Sequence, residues 1–413
     1  HHFVEVIAVR FRRGGGGRVT GHHPEEDARG ASAAHGKDLA RAGDALVGEP
    51  GEETAEGGAI APVGGADALR FTLLSAAAVG TDIQLDNEDL ESSFSSGRNF
   101  ANKFWNAGRF AVMSLGDDPI PTIEEMDDSL ELEDRWILSR LQHVIEDVNQ
   151  GLEQFRLHEV SDRLYHFVWG DLADWYLELI KPRMQGDSGD DSRQAGRATL
   201  VVVLDSVCRL LHPLTPFVTS ALWDRLPWSW ESERPAALMV AGWPEADKTL
   251  IDTRTEGRVA DLQELITQVR SLRQEYAIPE GARVTVKLGA VGLDFRAVLE
   301  SQQASVKRLA RIDTCELLDK APEGVGAHAV LENGVEVFIP LEGVIDVARE
   351  RERLQTEISR LMVQVETTRK KLSNEGFLRG AAADVVEKER SKESNFQEQL
   401  DKLRGKAATL GKF

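Results

Sequence analysis

Thirteen consecutive residues, Arg98 to Phe110, hold two arginines, a lysine, three asparagines, a tryptophan and three phenylalanines. At helical spacing Phe100, Phe104, Ala107 and Ala111 fall along one side, and Lys103, Asn106 and Arg109 fall on a neighbouring one. One side can pack a core while the other offers cations and amides to an anionic partner. Arg98, Lys103, Trp105, Asn106 and Arg109 are therefore the first candidates for holding a polyanion. Trp105 is either a stacking platform for a base or a core side chain. The same segment also reads as an ordinary amphipathic helix with a solvated face, so its neighbours must decide.

Other titratable groups are less suggestive. Asp171 and Asp174 lie beside tryptophans but suit caps or salt-bridge partners better than an acid and a base. His143, His158, His166 and His212 read as structural. Cys208 and Cys315 are far apart and lack metal-ligand spacing, so neither a disulfide framework nor a structural zinc site is expected, and a reducing, cytoplasmic setting fits. No metal site and no catalytic residue is identified. No apolar run approaches the roughly 20 residues that span a bilayer, and the start lacks a secretory layout.

The 413 residues carry a net charge of -20, which argues against a general nucleic-acid coat protein. The charge is uneven. Residues 345–413 hold 15 Lys+Arg against 12 Asp+Glu, so the excess of acid lies elsewhere. A polyanion can still bind along a local basic stripe on an acidic body.

Residues 1–60 differ from the rest. They are rich in Gly, Ala, Arg, His and Glu, with Gly14-Gly15-Gly16-Gly17 and the pairs His1-His2 and His22-His23. After Phe3 to Val9 they show no periodicity, and they are expected to be disordered or the product of an out-of-frame reading. Helical spacing then appears over Ala66–Ala78, Asp86–Phe110, Leu130–Gly151, Val160–Leu179 with Lys181-Pro182 ending it, Ala198–Leu211, Thr215–Leu226 and Arg258–Tyr276. Successive helices with short connections predict a helical bundle. The period changes to two over Arg283–Leu288, and again over Ala327–Leu331 and Val335–Ile339, a hairpin around Asn333-Gly334. From Ile345 the residues Leu354, Ile358, Leu361, Val365 and Leu372 follow a coiled-coil seam that Thr368 interrupts. A break at Asn374–Phe377 precedes a second arm with Val386, Phe396, Leu400, Leu403 and Leu410. Two short arms around a break predict an antiparallel hairpin within a monomer, with a parallel dimeric coil as the alternative. The fold class expected is mainly α: a bundle, a small α/β module and a C-terminal coiled-coil hairpin.

Read in order, these segments resemble the C-terminal portion of the valyl-tRNA synthetases. The resemblance rests on Gly65–Phe71, Gly80–Asp86, Arg98–Phe110, Asp134–Leu141, Phe167–Trp169 with Asp174–Glu178, Leu211-His212-Pro213-Leu214-Thr215-Pro216-Phe217, Val337–Gly343 and Val385–Arg390. Leucyl and isoleucyl relatives share the bundle and the His-Pro turn; the Asn-Lys-Phe-Trp-Asn string and the hairpin favour the valyl family. The resemblance implies a remnant of a catalytic domain and connector over 61–95, an anticodon-binding bundle over 96–250, the α/β module over 251–342 and a tRNA-binding arm over 343–413.

The family attaches valine to tRNA(Val) with ATP and Mg. The His-Ile-Gly-His-like and Lys-Met-Ser-Lys-Ser-like motifs that serve ATP are not found here, nor is the editing domain, and Lys37 and Arg41 cannot be promoted to ATP ligands. This chain alone is thus expected to need no cofactor and to bind tRNA without aminoacylating or editing. Lys181 and Arg183, at a helix end, could contact phosphate or offset the helix dipole. Arg369, Lys370, Lys371, Arg379, Lys388, Arg390 and Lys392 gather near the hairpin break, where they suit tRNA phosphates or form a solvated coil face. Ala382 stands where a proline is usual. The alternative is a non-catalytic coiled-coil interaction protein built on a retired synthetase bundle.

Overall fold

The structure, a computed structural model, describes residues 64–76, 90–116, 118–186, 189–227, 235–318, 324–374, 376–377 and 383–410. The atypical first 60 residues, Gly80–Asp86, Arg379 and Ala382 lie outside the described residues. The chain divides into two compact units, His1–Glu256 and Gly257–Phe413. Among the described residues no helix is long and apolar enough to cross a membrane.

The first unit is a bundle of α1 (Gly64–Ala76), α2 (Ser95–Leu115), α3 (Leu132–Glu153), α4 (Leu157–His166), α5 (Leu177–Met184), α6 (Asp190–Leu211) and α7 (Pro216–Trp223). Between α4 and α5 the helix does not stop. Residues Phe167–Tyr176 continue it with π-helical bonding, a widened geometry that sequence periodicity does not announce. Pro182 does not end α5 either. It sits in the last turns, where its missing N–H removes only one bond, and the helix runs on to Met184.

The bundle core is apolar, yet two charged devices set its geometry. Asp67 of α1 is fully buried, and its carboxylate accepts the backbone N–H of Phe217 (3.2 Å) and Val218 (2.7 Å) at the start of α7. Burial holds this carboxyl above its ordinary range, while the two backbone bonds oppose the shift. Arg70, one turn on, donates to the carbonyls of Pro213 (2.7 Å) and Leu214 (3.3 Å). The His-Pro turn is therefore clamped from α1, and Gly97 lets α2 press against the same helix, since a Cβ there would strike the Ala68 carbonyl.

The second device is centred on Arg183, which is only 3% exposed. Its guanidinium donates to Glu133 (2.8 Å), Asp134 (2.7 Å), the Ser192 hydroxyl (2.9 Å) and the Ser192 carbonyl (2.6 Å). Asp134 also accepts from the Tyr176 hydroxyl (2.9 Å) and the Glu131 N–H (3.0 Å), the latter half of a capping box that starts α3. One carboxylate thus joins α3, the end of the π-helical stretch and α5.

In the second unit, α8 (Thr253–Glu275) leads into a four-stranded sheet of order β2-β1-β4-β3. The strands are β1 (Val284–Gly289), β2 (Ile312–Leu318), β3 (Gly326–Val330) and β4 (Glu336–Pro340). β1 and β2 are parallel, so a crossover must join them, and α9 (Leu293–Ser301) with α10 (Gln303–Leu309) provides it. β3 and β4 form the expected hairpin, with Gly334 at φ 84° in its turn.

The arm pairs α11 (Val347–Leu372) with α12 (Ala383–Thr409), whose packing confirms a hairpin. Leu354, Ile358, Leu361 and Val365 are buried on α11, as expected. Thr368 is buried in the same seam rather than interrupting it, because its hydroxyl donates to the Gln364 carbonyl (2.9 Å) and needs no water. At the arm's base the Tyr276 ring lies 4.7 Å from the Lys406 ammonium, and its hydroxyl bonds to Thr409 (2.8 Å).

Two outcomes are expected. Arg183→Met should cost about 3–5 kcal/mol in urea unfolding at neutral pH, because two buried carboxylates lose their cation; a deficit under 1 kcal/mol would remove the network from the account. The second concerns Glu133. Burial and the adjoining Asp134 carboxylate push its pKa up to about 7, in spite of Arg183. An acid whose folded pKa exceeds its unfolded value binds its proton more tightly when folded. That stability is complete below the unfolded value of 4.5 and is lost as pH rises through about 7. Wild-type unfolding midpoints should therefore fall across this window, and Glu133→Gln should flatten the fall.

Candidate RNA-binding surface

The polar side of α2 is the largest run of unusual chemistry on the bundle. Phe100, Phe104, Ala107, Gly108, Ala111 and Leu115 are buried. Asn99, Asn102, Asn106, Arg109, Phe110 and Met113 are exposed. At about 100° per residue these six fall within roughly a third of the helix circumference. Three amides, a guanidinium and a ring thus share one strip. Asn106 and Arg109 have no hydrogen bond or ion pair from their side chains among the described residues.

The strip's backing is a ladder of rings. Phe71 stacks on Phe100 (4.2 Å between centroids), Phe100 meets Tyr165 (5.5 Å), and Tyr165 stacks on Trp169 (5.4 Å) of the π-helical stretch. The Lys103 ammonium closes the ladder, 5.1 Å from the Trp169 ring and 2.7 Å from Asp174. Asp174 is thus a salt-bridge partner, and so is Asp171, whose carboxylate lies 3.1 Å from Arg140. Burial holds Asp171 above its ordinary value while Arg140 pulls the other way.

Trp105 is half-buried, and the Arg225 guanidinium lies 5.2 Å from its ring, so one face already has a cation. Arg98 is also half-buried. Lys181 pairs with Glu178 and sits 5.2 Å from the Phe110 ring, which brings α5 beside α2. Phe110 was not among the residues singled out from the sequence. It is 38% exposed and falls off the Phe100–Phe104–Ala111 side; that displacement around the helix was its only sequence signal. Arg183 departs from its sequence reading. Every hydrogen bond from its guanidinium ends on buried carboxylates or on Ser192, so it offers nothing to a phosphate.

On the arm, two cations bridge the helices: Arg369 to Glu393 (2.6 Å) and Lys371 to Glu389 (3.1 Å). Lys370 pairs with Glu366 (2.7 Å), Lys392 with Glu389 (3.0 Å) and Arg390, more loosely, with Glu387 (3.9 Å). Lys388 is exposed, without an ion pair among the described residues. The cluster near the break is therefore real as a gathering of cations but is largely matched by carboxylates. Such exposed pairs are each worth ~0–1 kcal/mol, so an incoming anion can exchange for them at little cost.

Two family models match the chain: the anticodon-binding domain of tRNA ligase over residues 134–288, and the valyl tRNA synthetase tRNA binding arm over residues 346–411. Among curated proteins, the valine--tRNA ligase of Fervidobacterium nodosum is 36% identical over 343 residues, which is 82% of this chain and 37% of that protein. The Bacillus subtilis valine--tRNA ligase is 36% identical over 348 residues, covering 84% of this chain and 38% of the relative. The chain thus spans well under half the length of the curated relatives it matches. A solved leucyl-tRNA synthetase complex from Agrobacterium radiobacter overlaps at a TM-score of 0.33 and 20% identity, over 50% of this chain and 23% of that one.

Proposed function

Because this chain belongs to the valine--tRNA ligase family and carries its C-terminal portion, we propose that it is a docking surface for tRNA(Val). The bundle takes the unpaired anticodon loop and the arm takes the backbone of the outer corner. The observation that carries this reading is the α2 strip. Single-stranded loops are held by stacking bases on rings or guanidinium planes and by bonding their edges. Asn99, Asn102 and Asn106 supply edge partners, Phe110 and Trp105 supply rings, and Arg109, with Lys103 and Lys181 at the margins, supplies charge. Arg98 flanks the same strip. The arm's contribution is electrostatic: Arg369, Lys370, Lys371, Lys388, Arg390 and Lys392 exchange weak carboxylate pairs for phosphates.

Attachment of valine to tRNA, with ATP and Mg, is proposed only for the longer protein to which this portion corresponds. Among the described residues no group of three His, Cys, Asp or Glu could hold a metal ion. One observation favours the second reading, a protein-interaction role: Met362 and Val363 expose apolar surface on α11.

Filter binding of the full chain to tRNA(Val) and a non-cognate tRNA, across salt concentrations, tests the proposal. Expected is a preference for tRNA(Val) with affinity falling steeply as salt rises. Phe110→Ala should weaken binding by about 1–3 kcal/mol, the worth of a lost base stack, with the salt slope unchanged. Arg109→Gln should instead lower the slope by about 0.7, one single-strand phosphate contact. Equal binding by both variants and wild type would sink the strip, and an absence of tRNA preference alongside a stable protein partner would favour the second reading. Pyrophosphate exchange with this chain should show no valine dependence; turnover above background overturns the assignment of activity to the longer protein.

A further inference from the structure

The α2 strip has two margins, and their charges differ. At about 100° per residue Lys103 and Phe110 lie along one margin, while Trp105 and Arg109 lie along the other. On the first margin the cations are matched. Lys103 pairs with Asp174 (2.7 Å), and Lys181, beside the Phe110 ring, pairs with Glu178. On the second margin the guanidinium of Arg225, from the turn after α7, lies 5.2 Å from the Trp105 ring. Arg225 is exposed, as Arg109 is, and neither has an ion pair among the described residues.

The helix before Arg225 fixes its place. Asp67 holds the start of α7 by accepting the Val218 N–H (2.7 Å). The last turn of α7 packs directly on α2, since a Cβ at Gly108 would strike the Leu222 side chain. Trp223 is buried and donates its indole N–H to Asp205 of α6 (2.7 Å). Two residues on, the Arg225 guanidinium donates to the Ala221 carbonyl, which orients it without cancelling its charge. A cation that merely finished a helix would make that same bond. Contact with the Trp105 ring is what a helix end does not require: it places the cation against the α2 strip.

We propose that Arg225, backed by Trp105, grips a backbone phosphate of the single strand that α2 takes up. The strand then crosses the strip with its phosphates over the Arg109–Arg225 margin and its bases over the asparagines toward Phe110. This inference rests on the docking reading, and it adds to it a residue from a second helix and an orientation of the strand. The guanidinium fork matches two phosphate oxygens at once, and no carboxylate has to leave Arg225 or Arg109 first. On the opposite margin a phosphate would have to displace Asp174 or Glu178, whereas the amides and the Phe110 ring suit base edges and faces. Trp105 is a positioning residue in this arrangement, acting through Arg225.

The test is binding of tRNA(Val) by the full chain across salt concentrations, with thermal unfolding of each variant alongside. Arg225→Gln should lower the salt slope by about 0.7, and its combination with Arg109→Gln by about 1.4. Arg225→Lys should keep the slope but weaken binding several-fold, because an ammonium cannot make the paired bonds. Trp105→Leu should weaken binding in the wild-type background and much less in the Arg225→Gln background, the coupling that a positioning residue requires. A lowered unfolding transition with an unchanged slope in Arg225→Gln assigns Arg225 to the helix end alone and overturns the contact. Should Arg225→Gln fail to fold, Arg225→Lys decides, and unchanged affinity there overturns the contact too. If Arg109→Gln lowers the slope and Arg225→Gln does not, the docking reading stands while this contact falls. If the wild-type chain does not bind tRNA, both fall.

Discussion

The bundle depends on a buried cation that touches three carboxylate-bearing or helix-ending groups at once. Arg183 brings together the start of α3, the end of the π-helical stretch and the first turn of α6. Removing an arginine and two carboxylates from water costs several kcal/mol per ion, and only near-complete hydrogen bonding offsets it. The geometry meets that demand: Asp134 is saturated by Arg183, Tyr176 and the Glu131 N–H. One charge nonetheless remains in excess if both acids ionise. Burial, and then the charge of the adjoining Asp134, push Glu133 toward its protonated form.

The same pair of residue types does different work elsewhere. Arg369 with Glu393 and Lys371 with Glu389 reproduce the chemistry of Arg183 with Glu133, but in water. In high dielectric the Coulomb gain is small and the desolvation cost is small too. Buried, the pair fixes a fold and cannot be exchanged; exposed, it holds two helices in register and can release its cation to a phosphate. Burial, more than residue type, separates a structural arginine from a binding one.

The α2 strip follows from a third division of labour. Phe100 is fully buried, stacked against Phe71, and supports Tyr165 and Trp169 as the ladder approaches the surface. Rings that pack on one side hold α2 in place so that amides, Arg109 and Phe110 on the other side are displayed on a rigid element. The π-helical widening contributes by setting Trp169 and Asp174 where Lys103 meets both. A polyanion-binding surface can thus sit on a chain of net charge -20, because only the local field near the strip and the arm matters within a Debye length of roughly 8–10 Å.

Much of this is legible in the sequence. The period of apolar residues gave the helices of the bundle, the Asn333-Gly334 turn gave the β3–β4 hairpin, and the seam from Leu354 to Val365 gave the arm, because each is a local pattern that the burial of one face enforces. β2 was not legible: its outer residues Asp313, Thr314 and Glu316 are exposed on an edge strand, so it lacks clean alternation. The helix through Phe167–Tyr176 was legible, but its π-helical bonding and its run past Pro182 were hidden, since a change of hydrogen-bond register leaves no residue signature. So too was the approach of Arg273 to the Arg311 carbonyl, since the two lie far apart in the chain. Sequence alone determined which faces must be buried, because hydrophobicity and its spacing are properties of neighbours along the chain. The tertiary structure decided which charges face water and which face one another, because desolvation and pairing depend on residues that only folding brings together.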